Sequence, residues 1–102
     1  MKKYQLTNYK TCDSVWKKAR GMMFTSRKHA QTLLFPFSTP RRVGLHMLFV
    51  FFPLNIVVLN EKKRVVEIKK LYPFDFFTTK KAQYIIEFID DPGLSAGNRV
   101  KF

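Results

Sequence analysis

The sequence predicts an α+β domain: a mainly antiparallel sheet, curled toward a partial barrel, of five to six short strands with one or two short helices. Three observations lead there. Apolar residues make up 46% and aromatics 16% of the 102 residues, more than a disordered basic chain carries, so the chain has a core. Short runs of β-branched and aromatic residues recur between turn-forming clusters, which is the pattern of strands in an antiparallel sheet. The single Cys12 forms no internal disulfide and belongs to no thiol cluster, so the core alone must hold the fold. The length bounds one domain over residues 1–102.

In chain order, residues 2–8 alternate loosely and predict an edge strand, whose lysines suit an unpaired edge. A short helix is expected next. Thr11 or Asp13 can cap it, Val15 and Ala19 share one face, and Gly21 can take the left-handed conformation past its end. Met22, Met23 and Phe24 then enter the core, residues 26–32 are polar and helical at best, and Thr32–Phe37 reads as a short apolar strand broken at Pro36. The following Ser38-Thr39-Pro40-Arg41-Arg42 has loop chemistry. Residues 43–52 are apolar at both parities, which predicts a strand covered on both sides and ended by Pro53.

The clearest local pattern is Leu54–Leu59, then Asn60-Glu61-Lys62-Lys63, then Arg64–Leu71: two β-branched runs around a polar turn, a β-hairpin. Residues 79–89 fit a helix capped by Thr79, through Ala82, Ile85, Ile86 and Ile89, and also a strand, through Tyr84, Ile86 and Phe88. A strand from Gln83 is preferred, because Asp90-Asp91-Pro92-Gly93 then supplies its terminating turn. The tail Arg99–Phe102 has the composition of a final strand. The longest apolar stretch, residues 43–59, is interrupted by Gly44, His46, Pro53 and Asn55 and falls short of the roughly 20 residues that cross a bilayer, so it is read as core. The lysines near the start lead into polar residues and not into a signal-like apolar stretch, which gives a cytoplasmic protein as the expectation.

The order of motifs resembles the uncharacterised prokaryotic family known as domain of unknown function 192. The resemblance runs over roughly residues 15–102 through Lys18-Ala19-Arg20-Gly21-Met22-Met23-Phe24, Leu33-Leu34-Phe35-Pro36-Phe37, Met47 through Ile56, Arg64-Val65-Val66-Glu67-Ile68, and Gln83 through Phe88 with Gly93-Leu94 and Gly97-Asn98-Arg99-Val100. It implies a compact α+β domain rich in antiparallel strands and carries no established activity. The sequence departs from the family's pattern where that pattern is most polar. His46-Met47-Leu48-Phe49 stands where the family has Trp-Met-Lys-Asn, and Asn55 and Asn98 occupy its usual Asp positions.

Residues able to carry chemistry are sparse. A thiolate–imidazole pair between Cys12 and His29 or His46 is conceivable, but no spacing rule links them, and His46 within an apolar run reads as a core histidine. Glu67 and Glu87 fall at solvent-facing parity on strands, Asp90 and Asp91 fit a turn, and Asp75 reads as a turn residue after Pro73. No phosphate loop, dinucleotide fingerprint, nucleophile elbow or metal-ligand spacing is present. The expectation is therefore a non-enzymatic domain without metal or cofactor.

Charge is the remaining feature. With 19 Lys and Arg against 7 Asp and Glu, the formal net charge is +12. Residues 1–42 hold ten cations against Asp13 alone, and residues 43–102 hold nine against six acids. Lys17, Lys18, Arg20, Arg27, Lys28, Arg41 and Arg42 fall in a stretch without an acid and are the candidate contacts for nucleic acid, RNA or DNA, bound without sequence specificity on an N-terminal basic face. Trp16, Phe24 and Tyr9 are interleaved aromatics able to stack on bases. The alternative is a protein–protein or homo-oligomeric module that uses the apolar strand 43–52.

Overall fold

The computed structural model describes residues 3–14 and 21–102. Nine strands occur there: β1 Lys3–Gln5, β2 Tyr9–Thr11, β3 Thr32–Arg41, β4 Gly44–His46, β5 Leu54–Leu59, β6 Val65–Leu71, β7 Phe76–Thr78, β8 Ala82–Phe88 and β9 Arg99–Lys101. Strand accounts for 49% of the described residues and helix for 3%, so the architecture is nearly all β and the α+β expectation is corrected. The helix expected after Asp13 would span residues outside the described ones. The described helical segment is the short 3-10 turn Arg27–His29, with no buried residue.

The main sheet has the order β2-β3-β8-β5-β6, and β1-β9 and β4-β7 form two separate two-stranded ribbons, the first joined to the start of β6 by the Arg64–Arg99 bridge. The sheets do not close, so the partial barrel is also corrected. Two of the pairings, β1 with β9 and β2 with β3, are parallel. The expected hairpin forms as β5-β6, and the preferred strand from Gln83 forms as β8, which pairs antiparallel with both β3 and β5.

Both faces of the sheet are covered. Alternate residues of the central strands feed two cores: Leu33, Phe35, Ile56, Val58 and Ile85 face one, and Leu34, Val57, Leu59, Ile86 and Phe88 face the other. This double burial is why β5 and the middle of β8 read as unbroken apolar runs. The first core is closed by Met22, Met47, Val50, Phe52 and Leu71, and the second by Leu6, Val65, Leu94 and Val100. Each fully buried Ile, Val or Leu contributes about 1.5–3 kcal/mol.

Two segments differ from expectation for identifiable reasons. Strand β3 runs on through Pro36 and Pro40 to Arg41, with a register shift between Pro36 and Arg41 where it pairs with β8. The Leu34 carbonyl accepts from the Cys12 N–H at 2.7 Å, so the even positions of β3 point their polar groups toward β2. Past the end of β2, the N–H that Pro36 lacks would meet an open edge, and no ladder bond is lost.

The apolar run 43–52 is not one strand. Only Gly44–His46 is extended, and a turn from Met47 to Val50 follows, closed by the Val50 N–H on the Met47 carbonyl at 3.2 Å. Met47, Val50 and Phe52 point into the core while Leu48, Phe49 and Phe51 stay exposed, so apolarity at both parities reflects a turn with an exposed apolar side.

Candidate nucleic-acid interface

A cationic corner is built where β3 passes into β4 and β7 passes into β8. The buried Thr79 makes the junction: its N–H donates to the Val43 carbonyl at 2.9 Å, and the Val43 N–H donates to Thr79 Oγ1 at 3.0 Å. The hydroxyl in turn donates to the Lys80 carbonyl at 2.7 Å. These bonds set Arg41-Arg42 beside Lys80-Lys81, and the pairing of Arg41 with Ala82 completes the arrangement. All four cationic residues are exposed. The Arg41 guanidinium lies 5.9 Å from the centre of the Phe37 ring, a cation–π contact that restrains it without consuming its charge. The nearest acid identified by a contact is Glu67, whose Oε1 accepts the Lys80 backbone N–H at 2.7 Å. Among the described residues none of the four cations forms an ion pair.

The other residues expected to share this face do not reach it or lie outside the described residues. Lys17, Lys18 and Arg20 fall in the latter group. Arg27 and Lys28 occupy the 3-10 turn, where Arg27 Nη2 meets Asp90 Oδ1 at 3.0 Å. Their side chains are 56% and 85% exposed, so this pair contributes about 0–1 kcal/mol. Ala82 and Phe88 mark the two ends of β8, about 20 Å apart at the rise of a strand, and Asp90 lies just beyond Phe88. Arg27 and Lys28 thus belong to the opposite end of β8 from Arg41 and Arg42. Lys80 and Lys81 were missed because a lysine pair in the less basic part of a sequence carries no sign of its partner pair 39 positions earlier.

Cationic side chains gather in a second place. A cavity of about 340 Å³ is lined by Lys3, Lys62, Lys63, Arg99 and Lys101 together with Phe102. Here Lys63 Nζ donates to the Phe102 carbonyl at 3.1 Å and lies 4.0 Å from the centre of its ring. Three chain segments supply this cluster, so no linear pattern announces it.

The remaining candidates resolve as follows. Cys12 is buried, and it lines a cavity of about 380 Å³ with Lys10, Met22 and His29. His46 is exposed at the end of β4, with Nδ1 accepting the Leu48 N–H at 3.3 Å, and is not a core histidine. Asp75 is a turn residue, its Oδ2 accepting the Tyr72 N–H at 2.8 Å. Glu87, expected to face solvent, is buried between Leu33 and Ile56, and its Oε1 has no hydrogen-bond partner among the described residues. Burial pushes its carboxyl up to about 7.

Next to the cationic corner the β4-β7 ribbon turns one face outward. His46 pairs with Phe76, and Phe76 is 72% exposed, while Leu45 and Phe77 on the alternate positions pack against the first core. The arrangement therefore offers exposed cations and bare aromatic rings on adjoining surface, with no metal-binding cluster of His, Cys, Asp or Glu among the described residues. Among the described residues no helix is long and apolar enough to cross a membrane.

Comparison with known proteins gives three findings. The family model described as DUF192, Uncharacterized ACR, matches residues 2–102. A UPF0127 protein of Thermococcus sibiricus is 31% identical over 80 residues, which cover 76% of this chain and 52% of the relative, so the chain spans about half the length of that curated relative. Two crystal structures share the fold at a TM-score of 0.74 and 18% identity, each over 87% of this chain. One is a protein of unknown function from Novosphingobium aromaticivorans, with 70% of its chain covered, and the other is a proposed transcription regulator from Sinorhizobium meliloti 1021, with 76% covered.

Proposed function

We propose that this chain, which belongs to the family of domain of unknown function 192, binds nucleic acid through its phosphate backbone without reading base sequence. The observation that carries this reading is the Val43–Thr79 junction, which sets Arg41 and Arg42 beside Lys80 and Lys81 with no described acid paired to any of them. Planar guanidinium groups grip phosphate with two parallel hydrogen bonds, and ammonium groups add point charge at the same place. The net charge of +12 steers a polyanion toward this surface. Lys17, Lys18, Arg20, Arg27 and Lys28 contribute to that long-range field, and the corner makes the contacts.

The test is fluorescence anisotropy of labelled single-stranded RNA and duplex DNA at several salt concentrations. Four phosphate contacts give a log–log salt slope of about −3 for a single strand. The double variant Arg41→Glu/Arg42→Glu is expected to lose most of the affinity and flatten the slope. Lys62→Glu/Lys101→Glu changes net charge equally at the second cationic cluster and is expected to keep the slope. Equal losses in both variants, or no binding by the parent at low salt, would refute the assignment.

A further inference from the structure

Three β-turns meet beside the β4-β7 ribbon: Met22–Thr25, Met47–Val50 and Tyr72–Asp75. Each is closed by the N–H of its fourth residue on the carbonyl of its first, at 3.2, 3.2 and 3.0 Å respectively. Each places a phenylalanine third, with a positive φ of 58° at Phe24, 58° at Phe49 and 71° at Phe74. Glycine or asparagine is the usual occupant of such a position, because a Cβ in the left-handed region costs about 1–2 kcal/mol. The rings gain little burial in return, being 64%, 46% and 61% exposed.

The turns are fastened to one another through the backbone. The Phe24 N–H donates to the Phe49 carbonyl at 2.8 Å, the Phe74 N–H to the Met47 carbonyl at 3.1 Å, and the Met47 N–H to the Asp75 carbonyl at 2.9 Å. Buried Met47 anchors the junction in the first core. Phe24 and Phe49 stack with centroids 4.8 Å apart and planes at 19°. Two unfavourable features coincide, backbone strain and exposed aromatic area, and replacement by glycine would relieve both. What they provide together is a rigid surface of bare ring faces, and strain that the surrounding structure maintains marks functional positions.

We infer that this platform stacks the unpaired bases of a single-stranded nucleic acid, an inference that rests on the proposed function and names the substrate class of the same face. Charge complementarity selects this occupant. Lys70 Nζ lies 5.6 Å from the ring of Tyr72, the first residue of the third turn, at the platform's edge. From Phe76 the β7 strand leads to Lys80 over four residues, about 13 Å, so phosphates can reach the cationic corner from bases held on the rings. A second copy docking here would set the same cations against each other. Ring faces accept any base, so the platform distinguishes single strands from duplexes, whose bases are already stacked, without reading sequence.

The experiment compares three labelled probes of equal length with the full chain: a mixed-sequence single strand, an abasic single strand of the same charge and a duplex. The parent protein is expected to prefer the base-bearing strand over the abasic one by about 10-fold or more. Phe24→Gly/Phe74→Gly, which fits the turn geometry and so preserves the fold, should erase that preference while keeping the abasic affinity. Arg41→Glu/Arg42→Glu should instead weaken both probes together. Equal parent affinity for base-bearing and abasic strands would overturn the stacking inference and leave phosphate binding standing. Absence of binding to every probe would overturn both. A concentration-dependent dimer in sedimentation that the phenylalanine variants dissolve would overturn the inference by naming a second copy as the occupant.

Discussion

At Phe74 the side chain and the backbone make opposite demands. Pro73 presets the second position of the turn, and Asp75 Oδ2 holds the Tyr72 N–H, so the third residue is driven to φ 71° whatever its side chain. Alanine there keeps the Cβ that makes this conformation costly, by about 1–2 kcal/mol, and glycine removes it at an entropic cost of about 0.5–1 kcal/mol. Phe74→Gly is therefore expected to be more stable than Phe74→Ala by about 1 kcal/mol in urea unfolding, the reverse of the order at an ordinary strand or helix position. Alanine equal to or better than glycine would mean that the turn does not hold its φ. Phe24 and Phe49 carry the same left-handed cost at φ 58°, in turns with no proline to preset them.

At the scale of elements, the β5-β6 hairpin shows what local chemistry can announce. Its turn is closed by the Lys63 N–H on the Asn60 carbonyl and the Asn60 N–H on the Arg64 carbonyl, both at 3.0 Å, with Lys63 at φ 60°. Asn60 Oδ1 also accepts the Lys62 and Arg64 N–H groups at 2.9 and 3.0 Å. Asn60→Ala leaves both donors to solvent and should cost about 1–2 kcal/mol of unfolding free energy, with Asn60→Asp recovering most of it because the acceptor remains. Asparagine after a β-branched run is thus a legible cause, and the hairpin, β8 and β9 were readable for reasons of this kind. The run 43–52 was not, because its turn contains no Gly, Pro, Asn or Asp and its exposed aromatic side resembles core. The extension of β3 was hidden by Pro36 and Pro40, which are tolerated only because of where β2 ends. Of the candidate interface, Arg41 and Arg42 were legible as unopposed charge. Their union with Lys80 and Lys81 depends on Thr79, a residue whose sequence context suggested at most a helix cap.

For the molecule as a whole, one carboxyl opposes the general trend of its charge. A protein at +12 should favour the ionised form of any acid it carries, yet surface cations act through solvent and are screened within about 8–10 Å. Glu87 sits in the central strand of a sheet covered on both faces, with Leu33 and Ile56 as cross-strand neighbours, and loss of hydration prevails: its carboxyl is pushed from 4.5 up to about 7. Because the native state holds this proton more tightly than the unfolded chain, the group's effect on stability is neutral below about pH 4.5, turns unfavourable as pH rises and levels off above about pH 7. At 1.36 kcal/mol per pH unit between those values, ionised Glu87 costs about 3 kcal/mol. The measurement is the unfolding free energy of Glu87→Gln minus that of the parent, taken at acid and at alkaline pH. The amide's own burial cost is the same at every pH and cancels when the two differences are compared. The variant should gain about 3 kcal/mol relative to the parent between pH 4 and pH 8. A difference that stays flat across that range would mean that the carboxyl is solvated or paired, and that the two cores do not seal the central strand.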